Sequence, residues 1–327
     1  ETCVTGSCHL IRFQPDHGSP VAILVDCGIA QGHDPQMPFD RFPVPPADID
    51  FLFLTHAHVD HIGRVPDLID AGFCGEIICT HGTKALLLPM LREAMSFSDR
   101  TDPQVRAMEK QIDDLSWGFE LYDTFTLTHN ITFTLKNAGH ILGSCFIQFS
   151  FPNPDKPPYR VTFSGDLGCH DTPILPDPDM DDCWDREAKA LKAAGDHPIR
   201  FNHLYAVEKF QDHQRLLHLT GPAVIIAGSG MCTGGRIVNH LKHGLDDPKN
   251  DLFFVGYQAK GTPGRAIVEG RTPAKAAIHR LSGYSAHADQ QTLCNWVAAM
   301  PDPPGEIRLV HGEPAAQKAL REKLDLF

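Results

Sequence analysis

The ten cysteines contain no Cys-x-x-Cys pair, and no apolar run approaches the roughly 20 residues that a membrane-spanning helix needs. The longest such runs, "FLFL" at 51–54 and "AVII" at 223–226, have the length of strands. No charged-then-apolar leader opens the chain, and nothing points to membrane contact. Irregularly spaced cysteines in a chain of 327 residues argue for reduced thiols and a cytoplasmic location, not for a disulfide framework. Positive charge is short as well: 29 Lys and Arg against 41 Asp and Glu leave a net charge of −12. That excludes a general nucleic-acid coat, which would be basic. It leaves room for a nuclease, because a metal pair with a few local Arg or Lys can hold phosphates. No repeat of solenoid period is found.

Hydrophobic residues make up 42% and charged residues 21%, so a packed core is expected. The first 170 residues alternate strand-like and helix-like stretches. Apolar runs at 21–28 and 49–58 read as buried strands, and the second runs straight into histidines. Residues 76–81 read as another strand. The spacing of Leu and Met predicts a helix over 83–97, and 103–115 reads as a second. Three β-rich pieces follow at 124–140, 144–151 and 159–166, the last two joined by a hairpin loop at 153–158. The stretch 171–198 is rich in Pro and Asp and then charged, and a domain boundary is placed near Cys183. Beyond it, a strand over 222–227 leads into a Gly loop and a helix over 234–245. A strand over 251–258 follows, then two strand–loop–helix units with strands over 276–281 and 306–310.

Histidine is the abundant reactive residue, at 19 positions. The sharpest cluster is "THAHVDH" at 55–61, four candidate ligands within six residues at a strand end. Strand side chains alternate, so His56 and His58 point to one side. The turn that follows lets Asp60 and His61 face a second ion. Imidazole and carboxylate suit Zn²⁺, with Mn²⁺ or Fe²⁺ as alternatives. His140, Asp166 and His311 also stand at the ends of apolar strands; each alone fits a turn or capping residue, but all three in the same local setting as the first cluster are candidates for further ligands. Cys27 beside Asp26 and Cys169 near Asp166 read as small packing residues.

These residues resemble the metallo-β-lactamase superfamily, an α/β class with an αββα sandwich. The resemblance implies His56, His58 and His140 on one ion, Asp60, His61 and His311 on the other, and Asp166 bridging, with Asp60 and Asp166 counted as catalytic. Asp26 in "VDCG" would support ligand histidines from behind. Four later motifs, "GSGMCTGGR" (228–236), "VGYQAKGTPGR" (255–265), "SGYSAHAD" (282–289) and "VHGEP" (310–314), are similar to those of the β-CASP group of RNA-processing hydrolases, prokaryotic RNA-specific members above all. That likeness implies a metallo-β-lactamase domain over 1–183 returning at 274–327, with a shortened β-CASP α/β domain inserted over 184–273. It implies metal-dependent hydrolysis of RNA by a water readied between two ions about 3.5–4 Å apart. His287 would stand near the leaving group, where the departing sugar oxygen needs a proton; alone, it also fits a residue capping the helix that follows.

The Gly-rich loop before the 234–245 helix could receive a phosphate on its N–H groups, or be a tight turn. Ser229, Arg236, Lys260 and Arg265 are candidates for RNA-backbone contacts, though each also fits a surface or turn residue. Group members are often dimers, which leaves a homodimer open. Hydrolysis of a small ester, thioester or phosphodiester, and an inactive RNA-binding relative, are the competing functions. One feature departs from the pattern. The acidic Glu-Ser/Thr-x-Gly-like strand that partners the proton-donating histidine is not found before Trp184, and only 61 residues separate Asp166 from Gly228. Either the insert is reduced, with altered or lost nuclease activity, or the chain joins segments that the full protein separates.

Overall fold

A computed structural model describes residues 3–95, 98–154, 156–168, 193, 203–207, 210–219, 221–281 and 285–325. Cys169, the Pro- and Asp-rich stretch and the boundary near Cys183 lie outside the described residues. In chain order the elements are β1 (His9–Phe13), β2 (Val21–Val25), β3 (Phe51–Phe53), α1 (Val59–Ile62), α2 (Val65–Asp70), β4 (Glu76–Thr80), α3 (His81–Met95), α4 (Asp102–Leu115) and β5 (Ser116–Phe119). Then come β6 (Thr124–Thr126), β7 (Thr132–Asn137), β8 (Cys145–Phe151), β9 (Tyr159–Phe163), α5 (Phe210–Leu216), α6 (Ile237–Gly244), β10 (Asp251–Phe254), α7 (Pro263–Val268), β11 (Ala277–Arg280), α8 (Gln290–Ala298) and α9 (Pro314–Leu324). Among the described residues no helix is long and apolar enough to cross a membrane.

Two sheets are stacked. The first has the order β1-β2-β3-β4-β5, parallel except for the β1–β2 pair. The second is the antiparallel meander β6-β7-β8-β9. Parallel strands covered on both faces read as unbroken apolar runs, and all five residues of β2 are buried. Ala22 and Leu24 face Leu68 of α2, Leu87 and Leu91 of α3 and Ile112 of α4. Ile23, Val25, Phe53 and Ile78 face Phe133, Leu135, Ile147 and Phe149 of the second sheet. On the outer face of that sheet, Phe146 meets Trp296 of α8 edge to face, with ring centroids 5.5 Å apart. The layers therefore run αββα.

Phe53 is fully buried between Phe133 and Phe149, its ring edge-on to each at 4.9 and 4.8 Å. Phe53→Ala would leave a cavity between the sheets. The expected cost is about 3–5 kcal/mol, read as a shift of the denaturant midpoint of the metal-free protein.

A smaller second core holds Cys232, Phe254 and Ile267, with Ile237, Leu241 and Ile278 against them. It rests on a two-stranded parallel sheet of β10 and β11. Two strands expected from the sequence do not form. Residues 222–227 and 306–310 join no ladder, and Val224 and Ile226 are 93% and 94% exposed. A β-run becomes a strand only beside a hydrogen-bonded neighbour, and among the described residues these two runs have none.

Candidate metal centre

Five stretches of chain come together at the strand ends. After β2, Asp26 turns into the left-handed region at φ 59. Its N–H donates to the Phe53 carbonyl at 2.8 Å, and that of Cys27 to the His61 carbonyl at 2.7 Å. After β3, His58 stands at the N-terminal cap of α1 without a side-chain capping bond. Its ring turns instead towards His56, while Asp60 and His61 ride on the single turn of α1. After β7, the N–H groups of His140 and Ile141 both donate to Ser144 Oγ, at 3.0 and 3.2 Å. The Cys145 N–H ties that loop to the Thr55 carbonyl at 2.8 Å. After β9, a left-handed Gly165 at φ 54 delivers Asp166. The fifth stretch carries His311, also left-handed at φ 58.

Two groups of donor atoms result. His56, His58, His140 and Asp166 form one, and Asp60, His61 and His311 the other, with atoms within 4.8 Å of one another in each. In the first, His58 Nδ1 lies 3.0 Å from His56 Nε2 and 3.1 Å from His140 Nε2. Asp166 Oδ2 is 3.8 Å from His56 Nε2 and 3.7 Å from His140 Nε2. The same carboxylate reaches the second group, with Oδ1 3.4 Å from His61 Nε2 and Oδ2 3.4 Å from His311 Nε2. Asp60 Oδ2 lies 3.7 Å from His311 Nε2.

Asp26 fixes which nitrogens face inward. His61 Nδ1–H donates to Asp26 Oδ2 at 2.8 Å. That leaves His61 Nε2 buried without a hydrogen-bond partner. Thr55 Oγ donates to the same carboxylate at 2.9 Å, so its 3.1 Å contact with His56 Nδ1 is one in which the ring donates. His56 Nε2 is then a lone pair as well. A buried lone pair facing other donors costs free energy unless something binds it, and a cation fits this set.

Protonation follows burial and neighbours. Burial holds His56 and His58 below the ordinary imidazole value and His140 down at about 4. Burial also opposes a charge on His61, but the Asp26 and Asp166 carboxylates raise it well above that value. Burial works against ionised Asp166 too, yet the His311 and His61 rings beside it hold its carboxyl far below the usual range.

His287 comes to the same place. Its backbone bridges Gly168, and the Ala288 N–H donates to the Leu167 carbonyl at 2.7 Å. Its ring, 52% exposed, lies 4.5 Å from the His140 ring, with Nδ1 3.7 Å from Asp166 Oδ2. The four RNA-contact candidates are engaged within the chain. Ser229 Oγ meets Thr233 Oγ at 3.3 Å, and the Arg236 guanidinium donates to the Val207 carbonyl. Lys260 Nζ pairs with Glu313 at 2.8 Å, and Arg265 Nε with Glu269 at 2.6 Å. Cys27 is buried against Cys8, as a packing residue would be. Sequence reasoning missed Thr55, Ser144 and Glu313. Thr55 stood inside the histidine motif, and adjacency to His56 was the one available signal.

Three family models match the chain. They are the metallo-beta-lactamase superfamily over residues 2–205, the Beta-Casp domain over 178–267 and the Zn-dependent metallo-hydrolase RNA specificity domain over 271–326. A ribonuclease of Thermus thermophilus is 27% identical, with 99% of this chain and 94% of that one covered. That alignment runs over 420 positions against 327 residues, so at least 93 positions face a gap in this chain. A transcription termination factor of Methanocaldococcus jannaschii is 24% identical over 89% of this chain, which spans 63% of that protein's length. Among solved structures, a subclass B3 metallo-beta-lactamase of Bradyrhizobium japonicum matches 49% of this chain and 55% of its own at 18% identity and a TM-score of 0.31. The first family model alone takes in more than half of the residues, including both strands whose ends carry Asp26 and the His56–His61 run, and the chain belongs to the metallo-beta-lactamase superfamily, as a metal-dependent hydrolase of its β-CASP group.

Proposed function

We propose that the protein is a ribonuclease that hydrolyses RNA phosphodiester bonds at a pair of cations. Zn²⁺ is the first choice on donor chemistry, with Mn²⁺ or Fe²⁺ as alternatives. The observation that carries this reading is the Asp166 carboxylate, which lies within 3.4–3.8 Å of histidine nitrogens in both donor groups. His56, His58 and His140 would hold one cation, Asp60, His61 and His311 the other, and Asp166 would serve both. Bound cations ready a water for attack and offset charge gathering on the phosphate oxygens. Asp26 keeps the His61 proton on Nδ1, and Thr55 does the same for His56. His287, half-exposed above Asp166, is placed to give a proton to the departing sugar oxygen. A metallo-β-lactamase domain over 1–183 and 274–327 would then flank a β-CASP insert over 184–273. The RNA specificity model over 271–326 and the ribonuclease relative support RNA as substrate. Free thiols among the described cysteines support a cytoplasmic location. Ser229, Arg236, Lys260 and Arg265 remain candidates for the RNA backbone, the last three only if RNA displaces their present partners. A homodimer is left to a measurement of mass in solution.

The test offers metal-loaded protein a labelled RNA and a small chromogenic ester. RNA cleavage is expected, and His287→Ala should slow it by roughly 10²–10⁴-fold while bound metal is unchanged. Cleavage of the ester alone would replace this reading with a small-substrate hydrolase. Cleavage of neither, with metal bound, would leave an RNA-binding relative without catalysis.

Acid should strip the two groups in order. Protons compete with a cation for histidine nitrogen. At His56, His58 and His140 that competition waits for acidic solution, because burial holds these rings below the ordinary value. At His61 it starts earlier, because the Asp26 and Asp166 carboxylates outweigh burial and raise its value. Dialysis at falling pH, followed by metal analysis, is expected to show two steps of loss, the first from the Asp60, His61 and His311 group. A single step would contradict the assignment.

A further inference from the structure

Support for His61 does not end at Asp26. Ser7 reaches the same carboxylate oxygen that His61 does, its Oγ 3.4 Å from Asp26 Oδ2 and 3.2 Å from His9 Nε2. Main-chain bonds seat Ser7 firmly. Its N–H donates to the Asp60 carbonyl at 2.9 Å, and its own carbonyl accepts from the Gly28 N–H at 2.9 Å. Ser7 thus touches the backbone of one residue of the second donor group and the carboxylate that orients another. His9 opens β1 and pairs in register with Val25, the residue before Asp26. Its ring lies against Phe163 of β9, with centroids 5.7 Å apart, so its direction is set by packing.

Donor rules assign the protons. An ionised carboxylate only accepts, so the Ser7 hydroxyl gives its one proton to Asp26. The same oxygen then accepts from His9, which places a proton on His9 Nε2. Asp26 also accepts the Thr55 N–H at 2.8 Å and the His61 Nδ1–H at 2.8 Å. The hydrogen bonds run in one direction, from His9 to Ser7 to Asp26, where they meet the bond from His61. We infer that Ser7 and His9 form an outer relay that positions Asp26, and through it holds His61 Nε2 and the Asp60 main chain in place for a cation. This rests on the reading of Asp60, His61 and His311 as ligands; it does not depend on the substrate. Ser7 and His9 are positioning residues. Neither touches the ligand nitrogens.

Zinc affinity, measured by competition with a chromophoric chelator at fixed pH, tests the relay without any substrate. Ser7→Ala should weaken one of the bound ions by about tenfold or more, the range that loss of an outer partner produces. His9→Phe keeps a ring beside Phe163 but loses the donor, and should weaken the same ion by less. His9→Gln keeps an N–H and should recover affinity. At alkaline pH, where His61 is neutral despite its raised value, imidazole nitrogen NMR of the metal-free protein should find the His61 proton on Nδ1 in the wild type and shared with Nε2 in Ser7→Ala. A structural role alone would not move that signal. Circular dichroism checks folding; if Ser7→Ala does not fold, the His9 pair decides. Wild-type protein that takes up no zinc would overturn the ligand reading and the relay with it. Wild-type protein that binds zinc, with Ser7→Ala and His9→Phe binding it equally well, would overturn the relay alone.

Discussion

Asp166→Ala is expected to lose bound metal and turnover together. No other carboxylate in the centre reaches both donor groups: Oδ2 lies 3.7 Å from His140 Nε2 and 3.4 Å from His311 Nε2, while Oδ1 lies 3.4 Å from His61 Nε2. Alanine there would remove the carboxylate that faces both groups, leaving only Asp26 behind His61 and Asp60 at the edge to offset positive charge. Cations placed there would then be poorly compensated. Losing an outer partner costs 10–100-fold in metal affinity or activity, so losing a shared ligand should exceed about a hundredfold in both. Metal analysis of the purified variant and an RNA cleavage assay read the two effects. Asp166→Asn, which keeps the shape and removes the charge, should fall close to Asp166→Ala. His58→Ala should move both readouts in the same direction, because its Nδ1 stands between two other ligand nitrogens. Full activity in either alanine variant would remove that residue from the ligand set.

Gly28→Ala is expected to damage the centre from a position that carries no chemistry. A Cβ at Gly28 would fall 1.6 Å from the Asp60 carbonyl oxygen, 2.1 Å from its carbon and 2.8 Å from the His61 nitrogen. All three are backbone atoms, so no rotamer change relieves the clash. The turn carrying Asp60 and His61 has to move away from β2, or β2 from the turn. Either shift strains the bonds from the Cys27 N–H to the His61 carbonyl and from the Gly28 N–H to Ser7. Overpacking a close-fitted core costs about 1–3 kcal/mol and more when backbone must yield. The expected loss is therefore at or above about 3 kcal/mol, seen in the denaturant midpoint of the metal-free protein, with zinc affinity falling beside it. An unchanged midpoint would mean that the two loops are not packed as tightly as described.

Much of this could be read in the residues. Buried parallel strands such as β2 declare themselves as unbroken apolar runs, and the dense His56–His61 run needed no partner to stand out. The grouping of His140, Asp166 and His311 with that run came from likeness to a family, because nothing local says which strand ends converge. Long-range pairing was invisible for the same reason. Lys260 reads as a free cation until Glu313, 53 residues later, is seen to hold it. Arg236 reads the same way until the Val207 carbonyl takes it. The runs at 222–227 and 306–310 have strand composition but no neighbour to pair with among the described residues, and composition alone does not make a ladder. Ser7 and Thr55 look like ordinary small polar residues; only the fold reveals that both point at Asp26.

Anomalous X-ray scattering at the zinc edge from crystals of the zinc-loaded protein tests the centre most directly. Two peaks are predicted, one about 2.0–2.2 Å from His56, His58 and His140, the other as near to Asp60, His61 and His311, with an Asp166 oxygen on each. Zinc bound elsewhere, with these side chains left uncoordinated, would contradict the account.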